Sequence, residues 1–477
     1  MKPTKLTEVL SQLGHAELKK FRKFVHSPYF HQHKDTITFF EALAKYHPHY
    51  HEEHVSIEAI YQEVFPGLEY EDNKARTLRK YLLKLLLSFM SVDLFMNTPH
   101  EVEKYQTKSF LEKSISKFVR KSLESQKKAI THTIREGSQL FNELYLLESN
   151  SFQFSIQYEN RWETSSALAT LIRLDHFFIL EKLIYGCAFY TYGSIFKIDP
   201  SDLFLIQEVV AHCVSNIRTL PDIIQAYTLA FQLVKDEGNP TDLDDLSQIV
   251  RANQETFDKQ DIINIYVIML NHCSLSYRKG NTAALAKMFQ LYKEVITCGL
   301  LSDNYPNLHH HFKNIVTLGL KLKDYQWTDT FIEEWIHTMA EDTRADIYHY
   351  SRANLYTHTR QYAKALQELQ KATFIDPFYR IGYYTLLFKI HFEKNEEEAL
   401  LALINTYRTY LRRRSILTEE RKLPYKEFIR LGKDIFQAKQ EEPSNRNSLS
   451  QQIKEEIQST SSLVEKEWLL EKLEGIH

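Results

Sequence analysis

The chain has 477 residues, 43% of them hydrophobic and 25% charged, with 12 glycines, 12 prolines and a formal charge of −3. That length exceeds a single compact core, and that composition excludes an intrinsically disordered chain. Scarce glycine argues against sheet-rich folds and phosphate-cradling loops, and the near-neutral charge removes any global pull toward nucleic acid or anionic membrane.

Read from the start, apolar residues recur at spacings of three and four without convincing alternation, so the chain reads as all-α. "LTEVLSQL", "HAELKKFRKFVH", "DTITFFEALAKYH", "SIEAIYQEVF" and "NKARTLRKYLLKLLLSFMSVDLF" are successive helices that set residues 1–98 apart as an N-terminal helical unit. Ser56 is placed as a helix cap and Pro66-Gly67 as a stop. The last of these helices is apolar on most of its circumference and is expected to be enclosed by its neighbours. Its window 81–96 is shorter than the about 20 apolar residues of a bilayer span and carries Lys84 and Asp93.

A mildly basic helical stretch over 99–140 follows as a link. Residues 99–440 form the helical repeat region, clearest over 312–411, where short gaps between helices pack neighbours antiparallel. Ala284, Thr328, Ala365 and Ala399 hold equivalent places at steps that shorten along the chain, an irregular helical period. The 28 tyrosines and 29 phenylalanines are read as filling between these helices. Residues 441–448 are a polar linker, and 449–477 form two C-terminal docking helices with capping-box spacings at Ser448/Gln451 and Ser462/Glu465. On the last helix Val464, Trp468 and Leu469 share a face expected to dock on the body, with Glu465, Glu467 and Lys472 largely turned away.

One segment, "ADIYHYSRANLYTHTRQYAKALQELQKATFIDPF", resembles a tetratricopeptide repeat. Ala353 and Tyr356 stand where that family has its small residue and tyrosine; Ala365, Leu369 and Ala372 suit its second helix, and Pro377 closes it. His349 and Arg352 replace the usual tryptophan and leucine. The resemblance implies antiparallel hairpins stacked as an α-solenoid, with the first helix of each pair facing a groove for a protein or peptide. By that likeness the groove places fall on Tyr350, Asn354, Thr357 and His358, then on Tyr384, Phe388 and His391. Tyr350 replaces a lysine of the family's carboxylate-clamp variant, which points to an aromatic groove for an extended or helical peptide. "LKKFRKFVHSPYF" and "EKEWLLEKLEG" also resemble segments of a group of uncharacterised bacterial helical proteins, a likeness that implies no activity.

Two other clusters carry chemistry-bearing residues. "YHPHYHEEH" offers His49, His51 and His54 as metal-ligand candidates, with His26, His31 and His33 upstream. His51 and His54 are three apart, whereas the helical zinc-protease motif needs four, so a polar interhelical loop is the expected state and a pH-sensing role a lesser one. The run His309–His311 is read in the same way, as a solvated loop. Arg76, Arg79 and Lys80 share a helical face and could meet phosphate, but Glu69, Glu71 and Asp72 precede them, where they suit a helix N-terminus and repel phosphate. Arg412, Arg413 and Arg414 spread around a helix end. Cys187, Cys213, Cys273 and Cys298 lie far apart and read as buried thiols of a reducing compartment, and with no secretory signal pattern the expected location is cytoplasmic.

The sequence therefore reads as a non-enzymatic protein–protein interaction scaffold or adaptor. It needs no cofactor and meets a protein or peptide partner; nucleic acid is disfavoured and no membrane is involved. A nucleic-acid-binding regulator using Arg76, Arg79 and Lys80, and a metal-dependent enzyme using the His26–His54 cluster, stand as the alternatives.

Overall fold

A computed structural model describes residues 3–50, 55–159, 161–196, 203–235, 241–301, 307–413, 418–460 and 463–475. Among them every regular element is helical; the sole β feature is an isolated bridge between Glu136 and Phe257. In chain order the helices are α1 (Lys5–Ser11), α2 (His15–Val25), α3 (Lys34–Ala44), α4 (Ile57–Val64), α5 (Asp72–Met96), α6 (Pro99–Glu112), α7 (Val119–Thr133), α8 (Ser138–Glu159), α9 (Thr164–Phe196), α10 (Ile206–Asn216) and α11 (Asp222–Lys235). They continue with α12 (Asp242–Ala252), α13 (Lys259–Arg278), α14 (Ala283–Thr297), α15 (Leu308–Lys321), α16 (Tyr325–Trp335), α17 (Glu341–His358) and α18 (Tyr362–Gln370). The last five are α19 (Pro377–Glu393), α20 (Glu397–Arg413), α21 (Glu419–Ala438), α22 (Pro443–Ser459) and α23 (Lys466–Glu474). The chain divides into two compact units, residues 1–186 with 201–227 and 255–258, and residues 187–200 with 228–254 and 259–477.

In the first unit the helices α1 to α5 enclose one apolar core in which Phe21, Phe39, Phe40, Leu82 and Leu86 are completely buried. Ser56 caps α4, its hydroxyl accepting from the amides of Glu58 and Ala59, which satisfies two of the orphan N–H groups of a first helical turn. Helix α5 departs from its expected enclosure. Leu78, Leu82, Leu86 and Phe89 face the core, while Leu87, Met90 and Leu94 on the other side are exposed, Leu94 by 71%. No single described helix is long and apolar enough to cross a membrane. The 99–140 stretch is interrupted: α6 ends at Glu112, Ser114 takes a left-handed φ of 56°, and α7 and α8 follow as separate helices.

In the second unit α13 packs on α14, α15 on α16, α17 on α18 and α19 on α20, while α15 touches α17 and α17 touches α19. Small residues stand at the close contacts: Thr328 and Ala365 are completely buried and Ala284 nearly so. Asp376 caps α19, accepting from the amides of Phe378 and Tyr379, with Pro377 at the first helical position where its missing N–H costs nothing. Helix α22 likewise starts on a proline, Pro443, inside the stretch expected as a linker, so Ser448 lies within a helix and caps nothing. Ser462, the other expected cap, lies outside the described residues. Glu465, the residue just before α23, holds a left-handed φ of 54°. Of the thiols, Cys187, Cys213 and Cys273 are buried, and Cys298 is only half-buried.

Candidate binding site

Helices α13, α15, α17 and α19 of the second unit, together with α21 and α23, line a half-open cavity of about 1350 Å³. Its wall recurs along the chain. Ser274, Thr317, Asn354 and Leu386 line it from α13, α15, α17 and α19, and the step from one to the next shortens each time. Lys313, Tyr350 and Gly382 keep the same register, each four places before Thr317, Asn354 and Leu386. Gly382 is required by this packing: a Cβ there would lie 2.6 Å from the Tyr350 hydroxyl and 2.7 Å from its ring, closer than non-bonded atoms approach.

Tyr350, Asn354, Thr357 and His358 all line the cavity, on one face of α17. Tyr384, Phe388 and His391 do not, which corrects their assignment to the groove. Phe388 is completely buried against Phe428, with ring centroids 4.9 Å apart, and Gly432 gives it room, since a Cβ at 432 would lie 2.6 Å from the Phe388 ring. Tyr384 stacks on Tyr407 at 5.2 Å inside the core, and half-buried His391 pairs with Glu396 at 2.7 Å. The counterparts of Tyr350, Asn354 and Thr357 on α19 are Gly382, Leu386 and Lys389, each two places before the residue expected. Each place along a helix turns a side chain by about 100°, so an offset of two carries it about 200° around the axis and off the wall. Thr385 and Glu393 complete the lining from α19.

Charge dominates the wall, which carries eight lysines and arginines against four glutamates. Three lysines are paired. Lys389, its side chain only 6% exposed, meets Glu465 at 2.9 Å; Lys321 meets Glu467 at 3.4 Å; and Lys472 meets Glu393 at 2.6 Å. Tyr277 bridges the second pair, accepting from Lys321 at 3.0 Å and donating to Glu467 at 2.9 Å. Glu465 is desolvated, yet the adjoining Lys389, with Lys321 and His358 farther off, pulls its carboxyl down to about 2, so it is ionised at any physiological pH. The remaining five bases, Arg278, Lys313, Lys323, Arg360 and Arg421, have no carboxylate within ion-pair distance among the described residues.

Lys313 is the most enclosed of the five. Its ammonium donates to the Phe378 carbonyl at 3.0 Å and lies 5.0 and 5.2 Å from the ring centres of Tyr350 and Tyr379. Burial pushes its pKa down to about 8, against a smaller opposing attraction from Asp376 and Glu465. Burial also holds the Tyr350 phenol well above its ordinary value and His358 below its own. His358 donates through Nδ1 to the Asn354 carbonyl at 3.0 Å. The wall thus combines partly or wholly buried lysines, Lys313, Lys321, Lys389 and Lys472, with exposed bases, Arg278, Lys323, Arg360 and Arg421; such a set of cations can pair with carboxylates or other anions.

Sequence reasoning passed over Lys313, Lys321, Lys389 and Glu465. A signal was present in "YYTLLFKIHF", where Lys389 is the single lysine of an otherwise apolar and aromatic run: a base in such a setting is kept only where a carboxylate or a polar cavity meets it.

The other candidates are resolved by their surroundings. Arg76 and Arg79 both reach Asp72, at 2.7 and 3.6 Å, and Lys80 is exposed, so both arginines of this face share one carboxylate of their own helix. His49 is exposed, and His51 and His54 lie outside the described residues. His26 pairs with Glu41 at 2.9 Å and His47 donates to the Leu13 carbonyl at 2.9 Å. His309, His310 and His311 form the first turn of α15, half-buried; they are not a solvated loop. Among the described residues one grouping has metal-ligand spacing: His100, Glu101 and Glu143. There the Lys104 ammonium already sits 3.1 Å from Glu101 and 3.4 Å from Glu143, supplying the positive charge those carboxylates need. Neither a family model, nor a curated protein, nor a solved structure matches the chain.

Proposed function

We propose that the second unit is a tetratricopeptide-like α-solenoid of stacked helical hairpins, and that the chain works as a non-enzymatic scaffold or adaptor whose inner wall takes an acidic segment of a partner protein. The observation that carries this reading is a wall whose positions recur along the chain and whose bases exceed its acids. Helices α13, α15, α17 and α19 turn equivalent positions toward one cavity, and the bases there outnumber the acids eight to four. Hairpins whose inner helices line one face are the arrangement by which helical repeats present an extended binding surface. The contacts of α15 with α16 and α17, and of α17 with α18 and α19, support that stacking. A partly desolvated cation such as Lys313 recognises a carboxylate with a short, charge-assisted hydrogen bond, and a chain of net charge −3 that sets eight of its 59 lysines and arginines at one cavity has a local attraction its total does not show.

The test is selection of a random 12-residue peptide library against the full chain and against a Lys313→Met/Arg421→Ala variant. Peptides rich in aspartate and glutamate should be enriched by the wild type, and the enrichment should vanish for the variant. Equal enrichment by both, or no acidic bias, would remove the cavity as the binding surface.

A further inference from the structure

The acidic side of the cavity wall is built almost wholly by one short segment near the end of the described chain. Residues 463–475, "LVEKEWLLEKLEG", supply three of the four glutamates of the wall: Glu465, Glu467 and Glu471. Among the described residues the only acid of the wall from elsewhere is Glu393. Remove the segment, including its Lys472, and the wall becomes seven bases facing one acid. The contacts have the form of a bound peptide. Glu465 reaches Lys389 and Glu467 reaches Lys321 and Tyr277; Trp468 lays its ring 5.0 Å from Phe392 and 6.0 Å from Phe428 and donates from Nε1 to Glu393 at 3.3 Å. Leu469 and Leu473 close the apolar side, both buried.

Resting on the reading of the cavity as an acidic-peptide site, we infer that residues 463–475 are an intramolecular occupant of that site, and that the partner is an acidic amphipathic helix built like them, which displaces them to bind. The partner's pattern can be written from the contacts: a glutamate, a second acid two residues on, tryptophan next to it, then leucines one and five residues after the tryptophan. Its acids take the place of Glu465 and Glu467 on Lys389 and Lys321, and its tryptophan takes the slot of Trp468 beside Phe392.

Three features make the resident segment displaceable. Helix α23 has nine residues, fewer than the roughly 12–15 that an isolated helix needs to be even marginally stable. It starts without a side-chain cap, on Glu465 at positive φ. One of its ties, Glu467 to Lys321, involves a glutamate that is 55% exposed and is weakened by salt. A partner pays the entropy of ordering its own helix but finds a wall shaped and charged in advance.

The experiment is a titration, followed by fluorescence anisotropy, of a labelled synthetic peptide of residues 463–475 into three full-length chains: wild type, Glu465→Gln, and Glu467→Gln/Glu471→Gln. The last leaves Glu465, Leu469 and Leu473 in place, so the fold keeps its core. The peptide should bind the wild type weakly, Glu465→Gln at least tenfold tighter and the double variant about threefold tighter, with all affinities falling as salt rises from 50 to 500 mM. A peptide whose glutamates are changed to lysine should not bind. Equal affinity for the three chains, or no binding to any, overturns the inference. Should the peptide library still yield acidic sequences that need Lys313 and Arg421 in that event, the cavity stands as a binding site and only the intramolecular occupant falls.

Discussion

Two basic surfaces of this chain meet their carboxylates by opposite routes. On α5 the guanidinium of Arg76 finds Asp72 four residues away, both largely in solvent. In the second unit Lys389 finds Glu465 across 76 residues of chain, and the lysine is almost wholly withdrawn from water. The first arrangement is a local pair within one helix. The second joins distant parts of the sequence through charge and so makes the state of the cavity depend on the position of one short helix. The contrast teaches that a count of bases says little until the origin of the acids opposite them is known.

The contrast can be broken most severely at the inner pair. Glu465→Gln leaves Lys389 charged, 6% exposed and without its carboxylate, which should cost about 3 kcal/mol of stability in urea unfolding. A loss under about 0.5 kcal/mol would mean that the pair is exchanging freely with water. Next in size is an effect of pH on the same unit. Burial holds His311 at about 4, below an ordinary value of 6.5, and its Nδ1 accepts from the Tyr292 hydroxyl at 2.8 Å. His311 therefore stays neutral in the folded chain while its unfolded counterpart charges below pH 6.5. Its contribution is complete above that pH and is lost progressively as the pH falls toward 4. Between pH 7 and pH 5 the wild type should lose about 1–2 kcal/mol from this residue, and His311→Gln should lose correspondingly less. The smallest effect belongs to the outer pair. Arg76→Ala should change stability by less than about 0.5 kcal/mol, because the pair is exposed, its arginine side chain by 70%. A larger loss would erase the distinction between the two surfaces.

Much of this fold was legible because helices announce themselves locally. The apolar period of α2 to α5 and the cap at Ser56 depend on near neighbours, and both stand in the structure. On α17 the residues expected to share a face, Tyr350, Asn354, Thr357 and His358, lie together at the cavity. Carrying that face forward failed. The repeat is irregular, its step shortening from α13 through α15 and α17 to α19, and a fixed step rotates Tyr384 and Phe388 into the core. The docking of the last helix was visible in the apolar face of Trp468 and Leu469, but its acids were placed on the wrong side. Amphipathic reasoning sends charged residues toward water, and it has no term for a lysine waiting inside a cavity. Pairs such as Lys389 with Glu465 are long-range facts, and a single sequence read along its length does not contain them.

The displacement of residues 463–475 is the centre of this account, and amide hydrogen exchange across Lys466–Glu474 in the full chain measures it directly. With a saturating acidic, tryptophan-bearing peptide of the inferred pattern added, those amides should exchange faster while α17 and α19 exchange more slowly. Unchanged or slower exchange across Lys466–Glu474, with the peptide demonstrably bound, would contradict it.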